Sequence, residues 1–158
     1  MIIHQYYTPL GLLLLEMEND KFTKIWFTNH NNKNNNLADC YHPLPDLYAL
    51  ELQQYFRGKA VSFNWPIKLY GSDFQKQVWQ EIRRIPYGTT TTYKQIAENL
   101  STKGYQAVGS AVGSNPLAII IPCHRVIGSA DLGGYHYGLM IKRFLLEIEN
   151  ALPQTDLC

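Results

Sequence analysis

Cysteine is scarce in this 158-residue chain: Cys40, Cys123 and Cys158 form an odd set with no CxxC pair. That rules against a disulfide framework and fits free thiols in a reducing compartment. Long apolar runs are missing too. The stretch from Leu10 to Leu15 is too short for a signal core or a membrane span, and Glu16 closes it. The start, Met1-Ile2-Ile3-His4, has no basic segment. A soluble, cytoplasmic protein with no membrane partner is therefore expected. Charge of one sign is absent as well. The formal net charge is +1, and from Gly71 onward eight basic residues face seven acidic ones, which is +1 again. No bulk attraction to a polyelectrolyte follows, so a nucleic-acid partner would have to be positioned by local geometry. Metal-ligand spacing is lacking: Cys40 and His42 are close, with His30 and His4 elsewhere, but no zinc pattern appears. Neither metal nor cofactor is expected.

What is present is an ordinary globular composition, 46% apolar with eleven tyrosines. The length suits one compact unit or two small subdomains. Residues 1–70 read as an α/β scaffold. Ile2 to Tyr7, Leu12 to Met17 and Phe22 to Thr28 are β-like, with Glu18-Asn19-Asp20 as a hairpin turn. The polar tract from Asn29 to Asn36 has no hydrophobic face and reads as a mobile surface loop. Pro45-Asp46 opens a helix whose apolar stripe is Leu47, Leu50, Leu52, Tyr55 and Phe56, stopped by Gly58. Val61 to Trp65 returns as a strand, and Pro66 to Gly71 serves as the linker.

Residues 71–158 read as mainly helical. Ser72 or Asp73 caps a helix from Phe74 to about Arg84, with Phe74, Val78, Ile82 and Ile85 near one face. After a turn at Pro86-Tyr87-Gly88, Thr92 caps a short helix through Tyr93, Ile96, Ala97 and Leu100. Ser101 to Gly104 turns the chain into a second helix, Tyr105 to Gly113. Two short helices joined by a tight turn are the skeleton of a helix-turn-helix. The second is rich in Gly, Ala and Ser, although glycine costs a helix about 1 kcal/mol against alanine. Close approach of another backbone would explain that composition, whether from a neighbouring helix or from a DNA groove.

Leu117 to Ile120 reads as a short buried strand that Pro122 ends, since proline fixes φ and lacks an amide donor. Cys123 follows, with His124 and Arg125 directly after it. A thiol is a strong nucleophile only as thiolate, which an adjacent base or positive charge favours. A buried cysteine beside a core histidine is the bland alternative, because sequence neighbours point to opposite faces. The flanks decide between them: Gly109 to Pro116 upstream, Gly134-Tyr135-His136-Tyr137-Gly138 downstream, then Lys142, Leu145-Leu146 and Glu149. With Phe74 to Trp79, Ile85 to Gly88 and Thr92 to Ala97, this order resembles the O6-alkylguanine-DNA alkyltransferases, single-use DNA repair proteins. The resemblance is specific from about Phe74 to Glu149.

The resemblance implies a ribonuclease H-like N-terminal subdomain, a small sheet plus a helix. After it comes a mainly α, winged-helix-like C-terminal subdomain carrying the helix-turn-helix. It implies a monomer that binds double-stranded DNA through the minor groove, flips out O6-alkylguanine (and O4-alkylthymine), and moves the alkyl group irreversibly to Cys123. His124 would be the base, acting through a water, with Glu149 orienting it. Asn115 would tie the recognition helix to the active-site segment, and Tyr93 would help protonate the leaving guanine. Tyr135 would line the guanine pocket, His136 would offer its backbone amide, and the carbonyls of Cys123 and Val126 would read the guanine amino group. Ala107, Gly109 and Ser110 would face DNA, Lys94 and Lys103 would attract phosphates, and Arg125 would brace the site or the helix-turn-helix.

Two positions depart from the family pattern. Gln106 stands where most relatives carry an arginine that fills the gap left by the flipped base, and it offers no charge or guanidinium plane. Tyr137 replaces a small residue and should narrow the pocket, favouring methyl over benzyl adducts. Rival readings are a lesion-binding sensor that transfers nothing, which would lack the cysteine, and a helix-turn-helix regulator, which would need no nucleophile–base–acid set. A cysteine hydrolase is the third, but no oxyanion hole is suggested.

Overall fold

Asn19 and Asp20 both take positive φ, 49° and 61°, the conformation that a two-residue turn between right-twisted strands requires. They join β2 (Gly11–Glu18) to β3 (Lys21–Phe27) in the first of two units of a computed structural model that describes residues 1–28 and 41–153. β1 (Ile2–Thr8) runs antiparallel to β2, from Ile2 opposite Met17 to Thr8 opposite Gly11. The short β4 (His42–Pro43), not foreseen from sequence, pairs parallel with β1 and completes the order β3-β2-β1-β4. The polar tract 29–36, together with His30, Cys40 and Cys158, lies outside the described residues.

This unit spans residues 1–69 and is completed by Pro116–Ala118. Its core combines the β2 leucines Leu13 and Leu15, Phe22 and Ile25 of β3, and Leu52 and Tyr55 of α1 (Asp46–Phe56), all buried. Leu47 and Leu50, expected in the apolar stripe of α1, are instead 70% and 54% exposed. The face that turns inward is set by Leu52 and Tyr55 with Tyr48, which stacks edge-on to Phe22 at 4.9 Å and to Trp65 at 4.9 Å.

The strand expected over Val61 to Trp65 does not form. Phe63 takes φ 46°, which breaks an extended run, and packs against Tyr55 at 5.4 Å and Trp65 at 5.5 Å. Aromatic burial overrides strand propensity there. Pro66, expected in the linker, accepts from the Phe22 amide at 2.8 Å, and Lys68 donates to the Phe22 carbonyl at 2.9 Å. Farther along the same strand edge, Ile25 donates to Pro116 at 2.8 Å and accepts from Ala118 at 3.1 Å. Both segments cover the free edge of β3, which would otherwise invite pairing with another chain.

Leu117 to Ile120 is likewise buried but is no strand. Leu117 makes one bridge to Ile25, after which the chain turns, with Ile119 at φ 72°. Apolar burial was legible there; the turn was not.

The second unit, residues 70–115 and those from Ile119 on, is mainly helical. Ser72 caps α2 (Asp73–Arg83) in a reciprocal box, its hydroxyl accepting from Gln75 N while the Gln75 side chain accepts from Ser72 N. α2 buries Val78, Trp79 and Ile82, and the Trp79 indole donates to the Ala111 carbonyl at 2.8 Å. Thr92 caps α3 (Tyr93–Asn99) by accepting from Gln95 N. A turn with Ser101 at φ 54° leads into α4 (Tyr105–Gly113), so the helix-turn-helix pair stands where the sequence places it. Two residues on each side form a small parallel pairing of β5 (Thr91–Thr92) with β6 (Val126–Ile127). α5 (Leu139–Ile148) closes the unit, with Lys142, Leu145 and Leu146 inside. An α/β unit followed by a mainly helical unit is the fold class expected. No helix among the described residues is long and apolar enough to cross a membrane.

Candidate active site

Pro122 cannot donate a backbone hydrogen bond and holds φ at −79°, so the chain leaves it into one turn of 3-10 helix, Cys123–Arg125. That turn places three consecutive side chains in one buried neighbourhood, which an extended strand would not do. Cys123 is 7% exposed and stands in the wall of a cavity of about 150 Å³, a size that in apolar form holds a benzene ring. The other walls are Val112, Gly109 and Gly113 of α4, Asn115 just after it, Tyr93 of α3, and Gly134 to Tyr137.

Asn115 is the joint between α4 and the cysteine. Its Nδ2 donates to the Ile121 carbonyl at 2.7 Å and to Cys123 Sγ at 3.0 Å. Burial pushes the Cys123 thiol above its ordinary pKa. The Asn115 amide, the Lys142 charge and the backbone amides of Cys123 and His124 pull it the other way without prevailing. At neutral pH Cys123 therefore rests as a thiol, and reaction requires a base.

His124 is fully buried and shares a hydrogen bond of 3.1 Å between its Nε2 and Oε2 of Glu149. Burial lowers its pKa, the Glu149 carboxylate opposes, and the charges of Arg125 and Lys142 lower it further. The ring is neutral, and donating from Nε2 leaves the lone pair on Nδ1. Glu149 is the C-cap residue of α5. Burial alone would raise its carboxyl; hydrogen bonds from His124 and Arg125, and the charge of Arg125, bring it down to about 2.

Arg125 is 7% exposed. Its Nε donates to both Glu149 oxygens at 3.0 and 3.1 Å, its Nη2 to Glu149 Oε1, and its Nη1 to the Ile85 carbonyl at 2.8 Å. Of the contacts expected of Arg125, this is the bracing one, made inside the protein.

Lys142 was named from sequence as part of the motif order but was given no role. It is wholly buried, and its Nζ donates to the carbonyls of Val126 at 2.6 Å and Gly134 at 2.9 Å. Burial lowers its pKa to about 8, against the raising effect of Cys123 and Asp131. The available signal was spacing: Lys142, Leu145, Leu146 and Glu149 are related as i, i+3, i+4 and i+7, one helix face. The Val126 carbonyl, expected to read guanine, is thus already engaged by Lys142, and Val126 is not among the cavity walls.

The pocket loop is held by its glycines and by Tyr93. Gly133 has φ +69°, and a Cβ there would come within 2.8 Å of the Tyr93 ring. Tyr93 donates to the Gly134 carbonyl at 3.4 Å, and burial, with Cys123, raises its pKa, so it stays a phenol donor at neutral pH. Tyr137 stacks edge-on to Tyr135 at 5.6 Å and to His136 at 4.9 Å, making an aromatic wall. Val112 and Gly113 line the cavity without having been marked in advance.

On α4, Gln106, Ala107 and Ser110 are exposed, as are Lys94 on α3 and Lys103 in the turn. A Cβ built on Gly109 or Gly113 would meet nothing within 4 Å. No neighbouring helix requires these two glycines. His4, weighed as a metal ligand, shares a bond with the Pro43 carbonyl at 3.0 Å, its ring 6.2 Å from that of His42.

Against known proteins, residues 73–151 match the family model described as 6-O-methylguanine DNA methyltransferase, DNA binding domain. Residues 1–69 match its ribonuclease-like domain. A methylated-DNA--protein-cysteine methyltransferase of Methanosarcina barkeri is 53% identical over 64% of this chain and 65% of its own length. The protein of that name from Haemophilus influenzae is 38% identical over 98% of this chain and 89% of its own length. A crystal structure of Mycobacterium tuberculosis OGT in complex with DNA superposes with a TM-score of 0.83 at 35% identity, covering 95% of this chain and 93% of that one.

Proposed function

The chain belongs to the 6-O-methylguanine DNA methyltransferase family, and from that premise we propose that it repairs DNA by moving an alkyl group from O6 of guanine to its own Cys123. The carrying observation is a buried thiol in the wall of an aromatic pocket, bonded to Asn115, with the paired His124 and Glu149 beside it.

In the proposed step Cys123 Sγ attacks the alkyl carbon in line with the C–O6 bond. The new C–S bond forms as C–O6 breaks, and the released electron pair is taken into the guanine ring. The thiol proton passes through a water to Nδ1 of His124, whose imidazolium Glu149 stabilises. Tyr93 donates a proton to the departing base, so guanine leaves neutral, and the Tyr93 phenolate recovers its proton from the His124 imidazolium through water. Near-attack placement does much of the work, since a held thiol and a held base react as one molecule. The thioether has no leaving group for a return path, so each chain reacts once.

DNA is the partner, double-stranded and met through the minor groove by α4, with the lesion base flipped into the pocket. Gly109 and Gly113 support that reading: a Cβ at either would meet no protein atom within 4 Å, and both border the pocket that would receive the flipped base. Gln106, Ala107 and Ser110 face the duplex, and Lys94 and Lys103 serve its phosphates. The protein acts as a monomer. Tyr135 and the His136 amide hold the guanine, while Tyr137 restricts the alkyl group to small ones.

Incubation with duplex DNA containing O6-methylguanine, followed by intact mass and peptide mapping, tests this reading. One added CH₂ on Cys123, absent in Cys123→Ala and saturating at one per chain, is expected. Tight lesion binding without mass gain would refute transfer and leave a sensor.

A further inference from the structure

Glu149 carries one charge and has two buried basic neighbours with unequal holds on it. His124 meets it through Nε2 and Oε2. Arg125 reaches both oxygens through Nε and adds Nη2 to Oε1. The guanidinium is fixed from other sides as well, by the Ile85 carbonyl on Nη1 and by the Tyr87 ring 5.7 Å away.

An arginine does not give up its proton in a protein. Glu149 is therefore already balanced while His124 is neutral. Without the guanidinium, a buried carboxylate lowers its own cost by drawing a proton onto the nearest base, which is His124. An imidazole charged in advance has no lone pair left for the proton of Cys123.

We infer that Arg125 is a positioning residue for the transfer: its fork holds Glu149 so that the carboxylate orients His124 without charging it. The inference rests on the proposed role of His124 as base. The imidazole then meets the substrate as an empty proton acceptor. The other groups facing it act in the same direction or carry no charge. Lys142 adds positive charge from α5, Cys123 is a thiol at rest, and burial keeps the Tyr87 phenol un-ionised. A purely structural brace would hold Glu149 equally well yet leave the protonation of His124 unaffected.

The test is nitrogen NMR of the His124 ring in the full chain, assigned by difference with His124→Gln, from pH 5 to 8. Wild type should show the neutral Nε2–H tautomer throughout. In Arg125→Met the His124 titration should enter this range, rising by about one pH unit or more, and the acid limb of single-turnover transfer should rise with it. One pH unit below the variant's midpoint this predicts a transfer rate about tenfold below wild type. Arg125→Lys keeps the charge but not the fork, so it should keep His124 neutral. A wild-type His124 that titrates near the ordinary value of about 6.5 overturns the inference without any variant. So does an Arg125→Met titration that matches wild type. The NMR arm needs no substrate, whereas absence of transfer by the wild type would sink the alkyltransferase reading itself, so the two failures are distinguishable.

Discussion

Replacing Gly109 by alanine should make the fold more stable and the protein worse at meeting DNA. Gly109 is the fifth residue of the nine in α4, where glycine costs about 1 kcal/mol against alanine. The added methyl would meet no atom within 4 Å, so no clash offsets that gain. An increase of about 1 kcal/mol corresponds to a melting temperature higher by about 2–4 °C for a chain of this size. On the proposed reading the same methyl enters the wall of the pocket to which the duplex delivers its base, where a close fit disturbed by one group costs roughly 1–3 kcal/mol. Duplex affinity should then fall about tenfold, since 1.4 kcal/mol is a factor of ten. Thermal melting and fluorescence-anisotropy titration with lesion-bearing duplex measure the two effects separately. A stabilised Gly109→Ala that binds duplex as tightly as wild type would refute the claim that this helix approaches DNA by its bare backbone. A destabilised one would refute the reading of the open space.

Gln106→Arg restores a charge and a stacking plane on the exposed face of α4; duplex affinity should rise several-fold, and the slope of log K against log salt should steepen by about one. Tyr137→Gly removes a wall of the pocket, so labelling of Cys123 by benzylguanine should accelerate by more than tenfold while methyl transfer changes little; rapid benzyl labelling of wild type would count against the narrow pocket. The Glu149 carboxyl sits at about 2 against an ordinary 4.5, so its contribution is complete above about pH 4.5 and lost as pH falls through about 2. By linkage that is about 3 kcal/mol, and acid unfolding of Glu149→Gln should lack this loss across the same window. The methyl added to Cys123 puts bulk into a buried site against the Asn115 amide; if it displaces that one hydrogen bond, about 1 kcal/mol, the melting temperature should fall by about 2–4 °C, readable by melting before and after reaction.

How much was legible in the sequence depended on whether the signal was local. The capped helices α2 and α3, the Asn19-Asp20 hairpin and the turn into α4 follow from short-range chemistry and stand where the residues place them. Val61 to Trp65 and Leu117 to Ile120 have strand-like composition, but their conformation is decided by distant partners. The aromatic cluster claims Phe63, and the β3 edge claims only Leu117 from the second segment. Leu47 and Leu50 show the same limit on α1: periodicity allowed a wider stripe than the core had room for. In the site, the Cys123, His124 and Glu149 grouping was visible as an ordered set of motifs. The double engagement of Arg125 and the two-carbonyl grip of Lys142 were not, because a cation in a sequence carries no mark of being buried. Only the helical spacing of Lys142 and Glu149 with two leucines hinted at it.

A nucleophile used once has different requirements from one that turns over. It gains nothing from being reactive at rest, and a permanent thiolate would be exposed to oxidation and stray electrophiles before any lesion arrived. Cys123 is built accordingly: burial keeps the proton on sulfur, while Asn115, two backbone amides and Lys142 stand ready to support the thiolate as it forms. On the proposed mechanism the activation comes from His124, which must then carry no extra proton when the substrate arrives. A histidine beside a lone buried carboxylate would not be empty, and the arginine fork on Glu149 removes that conflict. On that proposal the three residues after Pro122 divide one problem among them: a masked nucleophile, a base without a proton, and a fixed charge that keeps the base available.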